Sequence, residues 1–324
     1  MSILDDKSYL LSKFNIVDFG QTDEAFPVSY DKYDHWVEEG HSRPLNYLSD
    51  ERKKIRQDLR HYFPEFKSAL VFLFSYGPAK KYLNSIKSKQ KISSYVFSHG
   101  GADYHIEIKK TLDEILKELQ KENSELIGKA VIDTAPILER DLAYRAGLGW
   151  FGKNSMLISR THGSYFFIGS LLLNQPLERE YVAKSETDHC GTCLACVQAC
   201  PTNAIDPQTR TLFTHKCIST FTIEMFKAVS PPAGYLSSNG EIFGCDICQE
   251  VCPWNSKQDF SQRPFVLNEN GKDLLHFFLE RDVDQIILDL EGMSSNKFKK
   301  LFKNTALERT GRIGLIKNLI PFKK

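Results

Sequence analysis

The sequence predicts an α+β fold, because strand patterns and helix patterns both recur along it. Residues 68–75 form a continuous apolar run of strand length, which Gly77-Pro78 ends. Residues 105–121 place apolar side chains at helical spacing, and a second short strand is expected at 129–133. Beyond Pro253 apolar residues again recur at helical spacing, which predicts a helical carboxyl-terminal part.

Length and composition are typical of a globular chain. The 324 residues exceed one average domain of about 150 residues. Lys plus Arg number 42 against 41 for Asp plus Glu, so the net charge gives no global attraction to nucleic acid or membranes. The longest weakly polar run, residues 163–173, is shorter than the about 18 residues of a membrane span, and the start carries no signal-peptide pattern. A cytoplasmic protein without membrane contact is expected.

The remaining elements complete a first domain. The first sixty residues predict helix and loop. A further helix is expected from Thr134, which can cap it, to Ala146, where Gly147 stops it. Residues 164–173 form another apolar strand, and a domain boundary is placed near residue 175. The expected segments are a catalytic domain over 1–175, a cysteine-rich domain over 176–260 and a helical basic segment over 261–324.

The eight cysteines repeat one spacing. The first run is C-x2-C-x2-C-x3-C-P from residue 190 to 201, and the second is C-x2-C-x3-C-P from residue 245 to 253. Such a run wraps one iron–sulfur cube with three thiolates and sends the fourth to a neighbouring cube. Cys217, between the runs, supplies the ligand that the second run lacks. The spacing predicts two [4Fe-4S] clusters, with structural zinc or disulfides as the alternatives.

The crossing rule divides the eight ligands between the two clusters. We expect Cys190, Cys193, Cys196 and Cys252 on the first cluster, and Cys200, Cys217, Cys245 and Cys248 on the second. Clusters of this kind conduct single electrons and do not themselves define a reaction. The other residues must therefore contain the site that consumes the electrons.

Three polar stretches of the first domain stand beside predicted strands and helices. They are Asp103-Tyr104-His105, Asp133-Thr-Ala-Pro with Glu139-Arg140, and the glycine-rich stretch 147–155. Together with the doubled cysteine runs they resemble the epoxyqueuosine reductase family, cobalamin-dependent iron–sulfur enzymes of transfer RNA modification. The resemblance extends through Cys252-Pro253-Trp254-Asn255 to the basic stretch 312–318.

This resemblance implies a reaction and its partners. The enzyme would reduce epoxyqueuosine to queuosine at the wobble position of tRNA anticodons, the last step of queuosine biosynthesis. Turning an epoxide into an alkene and water takes two electrons and two protons, which base-off cobalamin in its Co(I) state, two [4Fe-4S] clusters and an external low-potential electron donor would provide. The family also implies a monomer with a nitroreductase-like cobalamin domain, similar to that of reductive dehalogenases, followed by a ferredoxin-like domain.

The resemblance also implies site residues. Asp133, in the Asp-Thr-Ala-Pro motif, is the expected proton donor, and His105 and Tyr104 are further candidates for proton delivery or substrate contact. The expected cofactor-binding residues are Asp133, Arg140, Gly149, Trp150, Gly152, Lys153, Asn154 and Ser155.

Each of these assignments has a structural alternative. Asp133 could cap the helix that follows it, where the helix dipole would make it a poor acid. Tyr104 and His105 could be ordinary core side chains, and the glycine-rich stretch could be a helix stop and turn. His105 is not expected to ligate cobalt, because Ile108 stands where the corrinoid signature Asp-x-His-x-x-Gly has glycine.

The end of the chain carries a local basic surface. Residues 294–324 hold nine Lys or Arg and one acid, whereas residues 270–293 hold two bases and six acids. The basic residues are expected to contact tRNA phosphates, with a solvated helix face as the alternative.

Three other functions remain open from the sequence. A reductive dehalogenase acting on a small molecule would use the same cofactors, a ferredoxin-type protein without a corrinoid would only transfer electrons, and an RNA-binding protein would use its clusters structurally. The basic tail and the lack of an export pattern favour the tRNA enzyme over the dehalogenase.

Overall fold

The computed structural model describes residue 4 and residues 6–177, 187–227 and 229–323. The chain packs as two compact units. The first unit consists of residues 1–75 and 105–193, and the second of residues 76–104 and 194–324. Among the described residues, no helix has both the length and the apolar character of a membrane span.

The described residues form helices and strands throughout both units. The helices are α1 (Lys7–Lys13), α2 (Tyr30–Glu38), α3 (Arg52–Ile55), α4 (Gly77–Leu83), α5 (Tyr104–Glu122), α6 (Glu139–Arg145), α7 (Ala195–Ala199), α8 (Ile247–Glu250), α9 (Pro253–Ser256), α10 (Glu269–Leu279), α11 (Val283–Gly292), α12 (Ser295–Leu301) and α13 (Gly311–Leu319). The strands are β1 (Asp18–Thr22), β2 (Ser68–Ser75), β3 (Lys91–Ile92), β4 (Gly128–Ile132), β5 (Trp150–Phe151), β6 (Leu157–Ile158), β7 (Phe166–Leu173), β8 (Ile205–Asp206), β9 (Thr211–Leu212) and β10 (Glu241–Phe243).

A four-stranded antiparallel sheet in the order β1-β2-β7-β4 forms the centre of the first unit. Both β2 and β7 are largely apolar and buried, since helices cover both faces of the sheet. On one face Ile108 and Leu112 of α5 pack so closely over Gly169 that a Cβ there would lie 3.0 Å from Ile108. On the other face Leu142 and other residues of α6 join the sheet in one core. Burying each such side chain contributes about 1.5–3 kcal/mol to folding.

The second unit has its own apolar core. It joins α4 and the segment 94–101 to β10 and to helices α10–α13. The parallel pair of β3 with β10 aligns Lys91 with Glu241, immediately before the second cysteine run.

The fold confirms most of the predicted elements. The α+β class is correct, β2 has the predicted bounds, and α5 lies within one residue of the predicted helix at each end. Two predictions were wrong. Residues 18–22 form β1 rather than helix or loop, because this polar segment gains its strand conformation by pairing with β2. The helix expected from Thr134 begins only at Glu139, because residues 133–138 form a loop.

The two packing units differ from the three predicted segments. Residues 76–104 were assigned to the catalytic segment, yet their buried Val96 and Phe97 belong to the core of the second unit. The boundary expected near residue 175 adjoins residues 178–186, which lie outside the described part of the chain. A packing unit and a functional domain are different divisions of a chain, so the three-segment division stays a prediction.

Candidate active site and cysteine region

Asp133 lies immediately after the last residue of β4, where the chain leaves the sheet. Its φ of 40° is in the left-handed region, a conformation that costs a non-glycine residue on the order of 1–3 kcal/mol and is concentrated at functional sites. Its backbone N–H donates to the carboxylate of Glu139, and Thr134 Oγ1 donates to the carbonyl of Ile132 at 3.1 Å. These bonds hold the loop while 54% of the Asp133 side chain stays exposed.

His105 is the side-chain partner of Asp133. The Nε2 atom of His105 lies 2.9 Å from Oδ2 of Asp133, across 28 residues of sequence. His105 stands in the first turn of α5, and its side chain is only 14% exposed. The structure thus brings together two of the three residues predicted to handle protons, with the imidazole behind the carboxylate and the carboxylate open to solvent.

The helix-cap alternative for Asp133 is wrong. Helix α6 begins at Glu139, its N-cap is Leu138, and no side chain caps it. Asp133 therefore lies outside the reach of the first turn, where a capping side chain must accept N–H bonds.

Glu139 and Arg140 line the same loop. Glu139 is half-buried and Arg140 is exposed, and the surrounding protein desolvates both side chains. Desolvation, reinforced by the charge of Asp133, raises the pKa of Glu139 well above its usual value. Arg140 Nη1 donates to the carbonyl of Ser155 and so ties this loop to the glycine-rich stretch.

The glycine-rich stretch is a β-hairpin. Strands β5 and β6 pair with Trp150 opposite Ile158, and a Cβ at Gly149 would lie 2.2 Å from the Ile158 carbonyl oxygen. A Cβ at Gly152 would lie 2.5 Å from the Ile158 side chain. Close strand packing therefore requires glycine at 149, where the neighbour is backbone, while a side chain at 152 would displace that of Ile158. The contact of both glycines with a cofactor stays a prediction.

The turn of this hairpin contains polar residues that are nevertheless buried. Asn154 Oδ1 accepts the Met156 N–H at 3.2 Å, and Ser155 adopts a φ of 64°. Trp150 is 1% exposed and makes an edge contact with His189, the residue before the first cysteine. The hairpin thus packs against the start of the cysteine run.

Lys153 at this turn is directed to the cysteines. Its Nζ donates to the carbonyls of Gly191 at 2.6 Å and Cys193 at 3.0 Å, and the residue is 9% exposed. Lys153 was predicted to bind the cofactor of the first domain, whereas its contacts in the structure are with the backbone of the first cysteine run.

Tyr104 belongs to the second unit, although His105 follows it in the chain. It is 8% exposed and stands edge-on to Tyr95, with ring centroids 5.7 Å apart. This packing gives Tyr104 a structural function, and its substrate contact stays a prediction.

None of the eight cysteines forms a disulfide bond in the structure, which contradicts the disulfide alternative. Within the second unit, five cysteines lie close enough for their charges to interact. Burial raises the pKa of Cys248, and Cys217, Cys196 and Cys200 raise it further. Burial likewise raises the pKa of Cys245, with further contributions from Cys248 and Cys217.

This grouping fits an iron–sulfur cluster. It brings the isolated Cys217 together with Cys200, Cys245 and Cys248, the set predicted for the second cluster, and it also includes Cys196, which was predicted for the first. Among the residues that the structure describes, no three His, Cys, Asp or Glu side chains converge as on a single metal ion. A cube, by contrast, takes each thiolate on a different iron. Bound iron would also stabilise the thiolates that burial alone disfavours.

The lining near Asp133 fits a corrinoid in part. An exposed carboxylate, the Arg140 guanidinium and the Ser155 backbone offer the polar groups that the amide-bearing edge of a corrin can bind. The glycines at 149 and 152 offer no open cradle, since neighbouring atoms fill the space beside them.

The basic residues near the carboxyl terminus divide into two groups. Lys299, Lys300 and Lys303, in and just after α12, are exposed. Lys317 of α13 is 7% exposed and donates to two backbone carbonyls, so it is not available to phosphates. The basic surface therefore presents fewer cationic side chains to solvent than the nine Lys and Arg counted in the sequence.

Comparison with known proteins covers both units. The family model "Epoxyqueuosine reductase QueG, DUF1730" matches residues 56–134, and the model "4Fe-4S double cluster binding domain" matches residues 189–255. The epoxyqueuosine reductase of Cyclobacterium marinum is 38% identical over 89% of this chain and 86% of its own length. The chain belongs to the epoxyqueuosine reductase family.

Further epoxyqueuosine reductases agree with this assignment. The Escherichia coli enzyme is 31% identical over 93% of this chain and 75% of its own length. The solved structure of epoxyqueuosine reductase from Streptococcus thermophilus superposes with a TM-score of 0.79 at 25% identity, over 99% of this chain and 80% of that one. The family prediction is confirmed, and so is the prediction of a double [4Fe-4S] domain.

Some residues near the sites carried no predicted function. Glu139 belongs to the polar stretch that begins at Asp133, and a second acidic residue six positions after Asp133 was the sequence feature that could have indicated its function. Thr222 forms hydrogen bonds with Ile218 and Gly244, the neighbours of two cysteines. Its function could not be predicted, because a single threonine in an irregular segment belongs to no sequence motif.

Proposed function

We propose that this chain is an epoxyqueuosine reductase that reduces epoxyqueuosine to queuosine at the wobble position of tRNA anticodons. The observation that carries the proposal is the likeness to curated epoxyqueuosine reductases, which extends over about nine-tenths of this chain and so includes both units. A solved epoxyqueuosine reductase, 23% identical and with a TM-score of 0.74, was crystallised with an epoxyqueuosine-modified tRNA-Tyr stem loop.

The reaction has a simple balance. The epoxide loses its oxygen as water and its two carbons become an alkene, with the uptake of two electrons and two protons. The double-cluster region at residues 189–255 would hold two [4Fe-4S] clusters, which would supply one-electron carriers between an external low-potential donor and the site.

The clusters take the ligands that the spacing predicts. We assign Cys190, Cys193, Cys196 and Cys252 to the first cluster, and Cys200, Cys217, Cys245 and Cys248 to the second. The interactions of Cys217 with Cys200, Cys245 and Cys248 support its place in the second set, and Cys196 of the first set also lies near Cys248.

Cobalamin is the proposed acceptor of these electrons and would supply, when bound, a redox-active cobalt centre for the reduction of the epoxide. Asp133, Arg140 and Ser155 are the residues proposed to hold it or the substrate, since they are the polar groups presented around the loop after β4. The nitroreductase-like and dehalogenase-like character of the first domain is part of the same proposal.

Asp133 and His105 handle the proton. The half-exposed side chain of Asp133 can reach a bound substrate, whereas the largely buried His105 places Nε2 2.9 Å from Oδ2. Asp133 gives a proton to the departing epoxide oxygen, and His105 Nε2 passes a proton to Oδ2, so that Asp133 can also give the second proton with which the oxygen leaves as water.

The exposed lysines of the basic tail are proposed to bind the RNA. Lys299, Lys300 and Lys303 lie together along α12 and its end, with no acidic neighbour in that stretch of sequence. Ammonium groups on a helix surface suit phosphates and do not read bases.

The decisive experiment is a product assay. Anaerobically reconstituted protein with cobalamin and a chemical reductant is incubated with tRNA that carries epoxyqueuosine, and the digested nucleosides are separated by mass. Queuosine formation that requires both cobalamin and reductant is expected. Failure to form queuosine, together with release of halide from a halophenol, would instead favour the dehalogenase alternative.

A further inference from the structure

Buried lysines are rare, because an ammonium group loses its hydration on burial and must recover it from protein acceptors. The described part of this chain contains two that are less than one-tenth exposed, Lys153 and Lys317. Each donates to two backbone carbonyl groups and is not ion-paired in the structure with a carboxylate. One lies in each packing unit. Lys153 contacts the backbone of the first cysteine run, and Lys317 contacts the segment that follows Cys217.

Lys153 holds the turn that opens the first cysteine run. The turn closes through the Cys193 N–H, which donates to the Cys190 carbonyl at 2.9 Å. Lys153 Nζ donates to the carbonyls of Gly191 and Cys193 in this turn. The lysine itself is fixed by the β5–β6 hairpin, whose turn is closed by a bond from Gly152 N to the Met156 carbonyl at 2.8 Å.

Lys317 holds the segment that follows Cys217. Its Nζ donates to the carbonyls of Phe221 and, at 2.6 Å, Met225, and lies 3.9 Å from the centre of the Phe221 ring. The N–H of Phe221 in turn donates to the Cys217 carbonyl at 3.1 Å. The neighbouring Asn318 donates from Nδ2 to the Thr222 carbonyl at 2.8 Å, so two consecutive residues of α13 fix one segment.

Thr222 extends this support to a second ligand. Its hydroxyl donates to the carbonyl of Ile218, next to Cys217, and accepts the N–H of Gly244, next to Cys245, at 2.8 and 3.0 Å. Thr222 and Asn318 are both fully buried. Lys317, Asn318 and Thr222 therefore tie together the backbone beside two ligands assigned to the second cluster.

We propose that Lys153 and Lys317 are paired positioning residues, one for each [4Fe-4S] cluster, which fix the ligand-bearing backbone and place one positive charge near each cluster. A reduced cluster carries one more negative charge than an oxidised one, so a nearby ammonium favours reduction. Burial lowers the pKa of Lys317 to about 8, which leaves it charged at neutral pH. This inference depends on the two clusters and not on the RNA substrate.

The test compares neutral and charge-conserving variants of the full-length, anaerobically reconstituted protein. Lys153→Met and Lys317→Met keep much of the side-chain length without its charge, and Lys153→Arg and Lys317→Arg keep the charge. Redox titration followed by electron paramagnetic resonance reports the two clusters. We expect each Met variant to lower the midpoint potential of one cluster only, a different one in each variant, and each Arg variant to restore it.

Two exposed lysines serve as matched controls. Lys109→Met in the first unit and Lys272→Met in the second remove surface charges whose side chains are 60% and 59% exposed. Both control variants should keep the wild-type potentials. Unchanged potentials in both buried-lysine variants, or equal shifts of both clusters in each, would overturn the proposal.

A variant that loses a cluster is still informative. Loss of about four of about eight irons, with the remaining resonance unchanged, supports the proposal, and equal loss from both clusters contradicts it. Thr222→Val and Thr222→Ser give an independent pair at the second cluster, because only Ser keeps the hydroxyl. We expect Thr222→Val to alter the resonance of one cluster and Thr222→Ser to keep the wild-type resonance. Since none of these measurements uses tRNA, their failure is distinct from failure of the proposed reaction.

Discussion

The loop after β4 in the first unit and helix α13 in the second unit use charged residues in opposite ways. Asp133 stands on left-handed backbone with 54% of its side chain exposed, and its partners leave the carboxylate open. Lys317 is 7% exposed, and its ammonium group donates hydrogen bonds to backbone carbonyls. An exposed group on strained backbone is arranged to meet a substrate, whereas a buried group with internal acceptors is arranged to hold the protein.

The largest expected effect separates catalysis from structure at Asp133. Asp133→Asn preserves size and removes the acidic proton, so turnover should fall by about 10²–10⁴, the usual contribution of general acid catalysis. Iron content, cobalamin binding and melting temperature should stay near wild type. Steady-state queuosine formation measures turnover, metal analysis measures iron and cobalamin content, and thermal melting measures stability. Turnover near wild type would remove Asp133 from the mechanism and make His105 the next residue to replace.

The next effect is on the clusters and sharpens the assignment of Cys217. Cys217→Ser should leave about four of about eight irons, because the ligands assigned to the first cluster lie elsewhere in the sequence. Iron analysis and the resonance spectrum of the reduced protein report the outcome. Two complete clusters in this variant would show that another residue is the eighth ligand.

A smaller effect is expected at the exposed lysines of α12. Neutralising Lys299, Lys300 and Lys303 to Gln should raise KM for tRNA and reduce the slope of log affinity against log salt by about two to three, since each lost phosphate contact removes roughly 0.7–0.9. The kcat should be largely kept, because these side chains act in binding. Lys272→Gln is the matched surface control. A lost kcat at unchanged KM would contradict this assignment.

The smallest effect concerns stability at Glu139. Desolvation raises the pKa of this group in the folded state, so the folded protein binds more protons than the unfolded chain between the unfolded and folded pKa values. Stability should therefore fall as pH rises through this window. Glu139→Gln keeps an acceptor for the Asp133 N–H and removes the charge, so its melting temperature at pH 7 should rise by about 2–4 °C, as for about 1 kcal/mol in a unit of this size. A lower melting temperature in this variant would show that the Glu139 charge stabilises the loop.

Local patterns predicted much of the fold. The apolar run that became β2 and the periodicity of α5 determine burial and therefore conformation, so both were predictable from the sequence. Strand β1 was missed because its conformation depends on pairing with β2, more than 45 residues away. The packing of residues 76–104 with the second unit was not predictable, since sequence order does not show which core Val96 and Phe97 will join.

The candidate site was predictable only in outline. Cysteine spacing reflects the geometry of a cube and is local, so both clusters followed from it. The partnership of His105 with Asp133 joins two elements across the first unit, and no spacing rule predicts it. Charge counting was misleading at Lys317, because a count does not show whether a lysine faces solvent or backbone carbonyls.

The most direct test of this contrast is a single-turnover experiment with Asp133→Asn beside Lys317→Met. Each cobalamin-loaded protein is reduced, mixed with epoxyqueuosine-containing tRNA and sampled both for queuosine and for the redox state of its clusters. We predict that Asp133→Asn keeps wild-type cluster potentials and forms queuosine at least about a hundredfold more slowly, while Lys317→Met shows a lowered potential in one cluster. Normal queuosine formation by Asp133→Asn, or unchanged potentials in Lys317→Met, would contradict the distinction between the exposed and the buried charge.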